Sequence, residues 1–378
     1  MSLAGQYLLQ PGSSPSIVGS RPVMGGARLG RLLRGQQGDS VVRMLGSVLT
    51  LCAHAQRRTA RMVLLAAEQQ QDANVAPEST RSLQLETARD HLRSMALDWP
   101  QRQMGASASP FMLHWLAQCH VPSSASSRAL TPTQASTQHG QLQAWLESNI
   151  LRMPIDQWLV SYRDEDAFAA WCTEAAARAT PLQCLADWHT TARRLWPTTR
   201  TLDLLDTNAT QQAAQLRAIA QDLCAYPDFA LSPLWLGACA ETGPWSRLRH
   251  RQAPVTGCSA WSRLQARWVE MLELAQVPVE PQTLLLHSGA LPLGDGQAIA
   301  WCEMARGLLL HWVQLDELHR VQDYRVLAPT EWNFHPHGAL AQALTQLSPT
   351  DSDAAWCLAS AYDPCVDCSV NIQEIPHA

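Results

Sequence analysis

Near its C-terminus the chain reads Asp363-Pro364-Cys365-Val366-Asp367-Cys368-Ser369-Val370-Asn371. Two thiols three residues apart can clasp one soft metal ion as thiolates or cycle as a redox dithiol. Taken alone, the pair leaves metal site, redox dithiol and coincidence open. A structural zinc needs four ligands, and no second Cys-x-x-Cys or close Cys/His pair completes one. A redox dithiol ordinarily opens a helix in a βαβ setting, which this pattern lacks. His54, His311, His335 and His337 are read as hydrogen-bonded structural residues. Cys119, Cys172, Cys184, Cys224, Cys239, Cys258, Cys302 and Cys357 are read as small buried hydrophobes.

Apolar periodicity predicts the scaffold for these residues: mainly α with a small β component, α+β in class. One long helix is predicted over about Ser40–Gln71, where Val42, Leu45, Leu49, Cys52, Ala60, Val63 and Ala67 recur near helical spacing. A second, Thr80–Leu97, is expected to be halted before Trp99-Pro100. In Cys258–Gln276 the residues Trp261, Leu264, Trp268, Met271 and Leu272 share a core face. Beyond Pro281, short strands are expected at Thr283–His287, Ala298–Cys302 and Tyr324–Leu327, with Gly307–Val313 between the last two. Helices over His337–Leu347 and Asp351–Ala361 then lead into the Cys pair. Residues 1–27 are read as a loose arm and 28–378 as a single domain, with a Ser/Thr/Pro-rich surface loop at 122–140.

The composition sets bounds. The chain has 378 residues, 46% hydrophobic and 16% charged, with 28 basic against 33 acidic residues and a net charge of −5. No overall field favours nucleic acid, and the basic groups at Arg28–Arg34 and Arg57–Arg61 are read as solvated faces or salt-bridge partners. The eleven cysteines are scattered and odd in number. With no leader-like segment and no apolar run of about 18 residues, the expectation is a cytoplasmic protein with reduced thiols and no membrane contact.

Three segments recur in order: Trp301-Cys302-Glu303-Met304-Ala305-Arg306-Gly307 running on to His311, then Ala328-Pro329-Thr330-Glu331-Trp332-Asn333, then Asp363-Pro364-Cys365-x-x-Cys368. In order and spacing they resemble the large subunit of nickel-iron hydrogenases, whose motifs are Glu-x-Pro-Arg-Gly-x-x-x-His, Pro-Thr/Ser-x-Trp-Asn and a terminal Asp-Pro-Cys-x-x-Cys-x-x-His. That family's N-terminal Arg-x-Cys-Gly-x-Cys helix admits two registers here. One aligns Leu51-Cys52-Ala53-His54-Ala55 and keeps Cys52; the other aligns Arg43–Val48 and loses both cysteines. The first also matches the helix end.

The departures are as telling. Ala55 stands for the second cysteine, Thr50 for the arginine, Ala305 for the motif proline and Asn371 for the processed histidine. The chain therefore resembles the hydrogenase expression/formation proteins of the HupK/HoxV type, to which Arg89-Asp90-His91-Leu92-Arg93 and Leu97-Asp98-Trp99-Pro100 are also similar. The resemblance implies a large-subunit-like helical core. It further implies an accessory scaffold, not an enzyme, that transiently holds an Fe(CN)2CO fragment. Cys365, Cys368 and Cys52 would be the metal thiolates. Arg306 and Thr330 would sit beside the cyanides, with Glu303 orienting Arg306 and Asp363 near the Cys pair. Without a fourth thiolate, nickel is not expected. The implied partners are a maturation chaperone complex of the HypC/HypD type and the hydrogenase large-subunit precursor. A docking or oxygen-protective assembly factor without cargo, a catalytic large subunit and an unrelated zinc or thiol-redox protein are the alternatives.

Overall fold

The computed structural model describes residues 5–20, 27–69, 77–105, 116–119, 130–198, 200–251, 258–276 and 285–372. Its centre is an antiparallel meander of strands Ser288–Gly294, Gln297–Met304, Gly307–Leu315 and Val321–Leu327, hydrogen-bonded in sequence order. Helix Ala53–Ala67 packs across this sheet, and helices Pro77–Arg93 and Ala260–Ala275 pack against each other behind it. Ala260–Ala275 is buried around almost its whole circumference, including Trp261 and Trp268 as expected. That burial also takes Arg263, Arg267 and Glu270 inside, so each needs a partner of opposite charge. The α+β class holds, with helices dominating and the sheet formed by the segments that carry the motifs.

Five expectations need correction. Residues 5–20 are not a loose arm: Gln6–Leu9 is the centre strand of a three-stranded sheet, antiparallel to Ile17–Ser20 and parallel to Asp367–Val370. Tyr7, Leu9 and Ile17 are buried there, and Tyr7 stands opposite Cys368. The remainder of 1–27, at residues 1–4 and 21–26, lies outside the described residues.

The long helix is really two, Gly38–Val48 and Ala53–Ala67, joined by a 3₁₀ turn at Thr50–Cys52. Both face one core, which is why their apolar periodicity reads as continuous. They cross where Gly46 meets Arg57; a Cβ at Gly46 would lie 2.8 Å from Arg57 Cγ.

Pro100 does not end its helix. Helix Pro77–Arg93 passes through a π turn, Ser94–Asp98, into helix Trp99–Met104, where Pro100 occupies the first turn and its missing N–H costs nothing. The Ser/Thr/Pro-rich stretch contains a helix, Pro132–Leu146, opened by a reciprocal cap between Thr131 and Gln134; residues 120–129 lie outside the described residues. Likewise 277–284 are outside, and the first strand starts at Ser288, one residue after the expected Thr283–His287.

Candidate functional site

Arg306 occupies the turn between strands Gln297–Met304 and Gly307–Leu315, and its backbone is tightly held. Gly307 has φ +132°, and a Cβ there would lie 2.5 Å from Thr242 Cγ2. The Asn333 side chain accepts from the Thr242 N–H (3.0 Å) and donates to the carbonyls of Thr242 (2.9 Å) and Arg306 (3.3 Å). The Arg-Gly and Trp-Asn motif residues thus form one clamp that aims the Arg306 side chain.

That side chain is 1% exposed. Its Nε lies 3.3 Å from Asp363 Oδ2 and its Nη1 lies 3.8 Å from Asp90 Oδ2. Neither nitrogen makes a hydrogen bond, and Asp90 Oδ1 also lacks a partner. Burial opposes the charge on Arg306, but Asp363, Asp90, Cys365 and Cys52 together outweigh it and keep the guanidinium firmly protonated. Arg306 is therefore within electrostatic reach of thiols from both ends of the chain.

Asp363 sits just past helix Ser352–Tyr362, in left-handed backbone with φ +49°. Its Oδ1 accepts from Ser94 Oγ (2.5 Å) and its Oδ2 from Arg267 Nη1 (3.2 Å), while Arg102 Nη1 lies 3.9 Å from Oδ1. Burial would raise its pKa; Arg306, Arg267 and Arg102 reverse this and hold the carboxyl well below the usual range. Arg267 also contacts His91, whose other nitrogen meets Glu270, and Glu270 takes two hydrogen bonds from Arg247. A continuous buried network thus runs behind the Cys pair.

The thiols are placed by different elements. Cys365 is half-buried, with Sγ 3.0 Å from Thr330 Oγ1 on the short helix Pro329–Asn333. Cys368 lies on strand Asp367–Val370; burial pushes its thiol up to about 12, against the pull of Arg102. Cys52 precedes helix Ala53–Ala67, and burial, aided by Cys365, pushes its thiol up to about 12. Gln56 Nε2 donates to Cys52 Sγ (3.5 Å) and Gln56 Oε1 meets His311 Nε2 (2.9 Å), whose Nδ1 in turn meets the Tyr324 hydroxyl (2.7 Å). The motif histidine is thus a structural link, as read from the sequence.

Glu86 accepts from the N–H groups of His54 (2.8 Å) and Ala55 (2.9 Å), capping the same helix where Cys52 starts it. Among the described residues, no three His, Cys, Asp or Glu side chains converge closely enough to hold a metal ion.

The structure brings Cys52, Cys365, Arg306, Thr330 and Asp363 into one neighbourhood, with Cys368 next to Cys365 and under the influence of Arg102. Glu303 is directed elsewhere: its carboxylate accepts from the His287 N–H (2.7 Å) and lies 3.9 Å from Arg247 Nε. The carboxylates beside Arg306 are Asp363 and Asp90. Asp90, Ser94, Arg102 and Arg267 were not among the expected site residues, although Asp90 lies in the Arg89–Arg93 segment already singled out. Of the cysteines read as buried, Cys224 is exposed and Cys239 and Cys258 are half-buried. Arg58, read as part of a solvated face or a salt-bridge partner, is instead buried, donating to the Ser288 and Thr80 hydroxyls.

The nickel-dependent hydrogenase family matches residues 258–371, the part that carries Arg306, Thr330 and the Cys pair. Over 408 aligned positions the chain is 34% identical to the hydrogenase expression/formation protein HoxV of Cupriavidus necator, covering 99% of this chain and 97% of that one. The chain belongs to the HoxV/HupK family of hydrogenase expression/formation proteins. It is also 29% identical over 367 positions to HupK of Rhizobium leguminosarum bv. viciae, covering 93% and 91% of the two chains. An NAD+-reducing nickel-iron hydrogenase in the H2-reduced state aligns over 90% of each chain at 14% identity and a TM-score of 0.46, too slight a likeness to bear on chemistry. The HoxV and HupK relatives are named for hydrogenase formation, which supports a role in maturation for this family member. Among the described residues no helix is long and apolar enough to cross a membrane.

Proposed function

We propose that this HoxV/HupK-type chain is an accessory scaffold in nickel-iron hydrogenase maturation that transiently holds an Fe(CN)2CO fragment as cargo for the large-subunit precursor. The carrying observation is Arg306: a buried guanidinium, beside Cys365 and Cys52, with two N–H-bearing nitrogens that lack acceptors. Cyanide is an anionic hydrogen-bond acceptor, and a desolvated guanidinium is its natural donor. Soft thiolates suit low-spin iron, and Cys365, Cys368 and Cys52 are the thiols within reach of these arginines. The three are not gathered into a metal-ready cluster, so cargo capture would draw them together and expel their protons.

Ala55 leaves nickel without a four-thiolate cage, and the protein is read as a carrier, not a hydrogenase. The cargo would come from a maturation chaperone complex of the HypC/HypD type and pass to the precursor, within the cytoplasm. Infrared spectroscopy on protein purified anaerobically from a host with the maturation machinery tests this. CO and cyanide bands present in wild type and absent from Cys365→Ala are expected. No bands, with equal iron in both samples, would refute cargo binding and leave a docking or oxygen-protective role.

A further inference from the structure

Three guanidiniums converge on Asp363, yet one carboxylate cannot satisfy them all. Its two oxygens are taken at hydrogen-bond distance by Ser94 Oγ and Arg267 Nη1. Arg102 stops short, with Nη1 3.9 Å from Oδ1, and that nitrogen is buried without any hydrogen-bond partner. The Arg102 side chain is only 10% exposed and is carried by helix Trp99–Met104, which follows the π turn at Ser94–Asp98 and packs against helix Ser352–Tyr362, the element that leads into the Cys pair. A buried cation left short of its carboxylate is a costly arrangement unless another acceptor arrives.

The neighbouring thiols divide between two arginines. Arg306 interacts with Cys365 and Cys52, whereas Arg102 is the strongest charge acting on Cys368. Thr330, the other donor expected beside a cyanide, already lies 3.0 Å from Cys365 Sγ. We propose that Arg102 is a second cargo-holding cation, donating to an anionic ligand of the bound iron on the Cys368 side while Arg306 serves the Cys52 side. This rests on the carrier reading. The cargo would then be gripped between two guanidiniums, both positioned by Asp363, so charge shares with thiolate coordination the work of retention. The residue lies two positions beyond the Leu97–Pro100 segment, on the helix that segment opens.

The test uses full-length protein co-expressed with the maturation machinery, purified anaerobically, and compares wild type, Arg102→Gln, Arg102→Lys and Cys365→Ala by infrared spectroscopy and by retention of bands on dialysis. In Arg102→Gln one cyanide band moves while the other holds, and the bound fragment is lost about tenfold faster, as expected for one charge-assisted hydrogen bond. Arg102→Lys keeps the cation but not the fork, so the same band moves with retention near wild type. It carries the test if the glutamine variant fails to fold. Wild-type bands left unmoved by both Arg102 variants overturn this inference alone. Bands that persist in Cys365→Ala, or are absent from wild type, overturn the carrier reading and this inference with it.

Discussion

Asp363→Asn removes the charge that holds the site together. Asparagine matches aspartate in shape and tolerates the left-handed backbone at φ +49°, so the change takes away the negative charge and turns one of the two accepting oxygens, which receive Ser94 Oγ and Arg267 Nη1, into an N–H donor. Arg306, Arg267 and Arg102, all within 3.9 Å of the carboxylate, would then lose the firmly ionised counter-charge they share, leaving Glu270, which acts on Arg267. Breaking a buried pair from one side costs about 3–5 kcal/mol. For a chain of this length the unfolding entropy is about 0.8 kcal/mol/K, so melting should fall by about 4–6 °C near neutral pH. The gap should also depend on pH. The wild-type carboxyl is held below its ordinary value of about 3.9, so its contribution is complete above that pH and fades as pH falls below it. Thermal melts of both proteins from about pH 8 down to about pH 3 should therefore show a constant gap that closes only at the acid end. A variant melting within about 1 °C of wild type at neutral pH would refute the claim that Asp363 neutralises the arginines.

Gly307→Ala should lower stability by about 2–4 kcal/mol, combining left-handed strain with a Cβ 2.5 Å from Thr242 Cγ2; a urea midpoint equal to wild type would show that the Arg306 clamp yields freely. His311 and His91 are pushed down by burial to about 3 and about 4, so their imidazole resonances should stay fixed between about pH 5.5 and 8; an NMR titration near 6.5 for either would place water inside the network.

The sequence reveals those parts of the site that rest on local pattern. The meander shows as short apolar strands around glycines, and Arg306, Thr330 and Cys365 stand in ordered motifs that the fold does bring together. What stays hidden is long-range. Gln6–Leu9 has too few residues to show alternation, and its partner, Asp367–Val370, lies about 360 residues away. Arg267 and Glu270 sit on a helix whose apolar face is plain, but nothing local says that its charged positions are buried too. Asp90 and Arg102 illustrate the same difficulty. Each is an ordinary charged residue in a helix until the packing of Pro77–Arg93 and Trp99–Met104 brings Asp90 to Arg306 and Arg102 to Asp363. Glu303 shows the converse: proximity in sequence to Arg306 suggested a pairing, but the strand between them directs its carboxylate to Arg247 and the His287 backbone.

Holding a metal fragment and keeping one call for different sites. In the register that keeps Cys52, the place of the resembled large subunit's second N-terminal thiolate falls to Ala55, which is fully buried with its N–H bonded to Glu86. Burial and the nearby Asp90 push the Glu86 carboxyl up to about 8, so the group that fills this corner adds little negative charge near neutral pH. Around the remaining thiols stand three arginines and a single carboxylate held firmly ionised, a surplus of positive charge that a fourth thiolate would have helped to cancel. An anionic, cyanide-bearing fragment would be attracted to such a place by charge and hydrogen bonding more than by coordination number. Attraction of that kind can be matched by a competing site that offers more thiolates, which is what a carrier must allow and a catalytic centre must prevent.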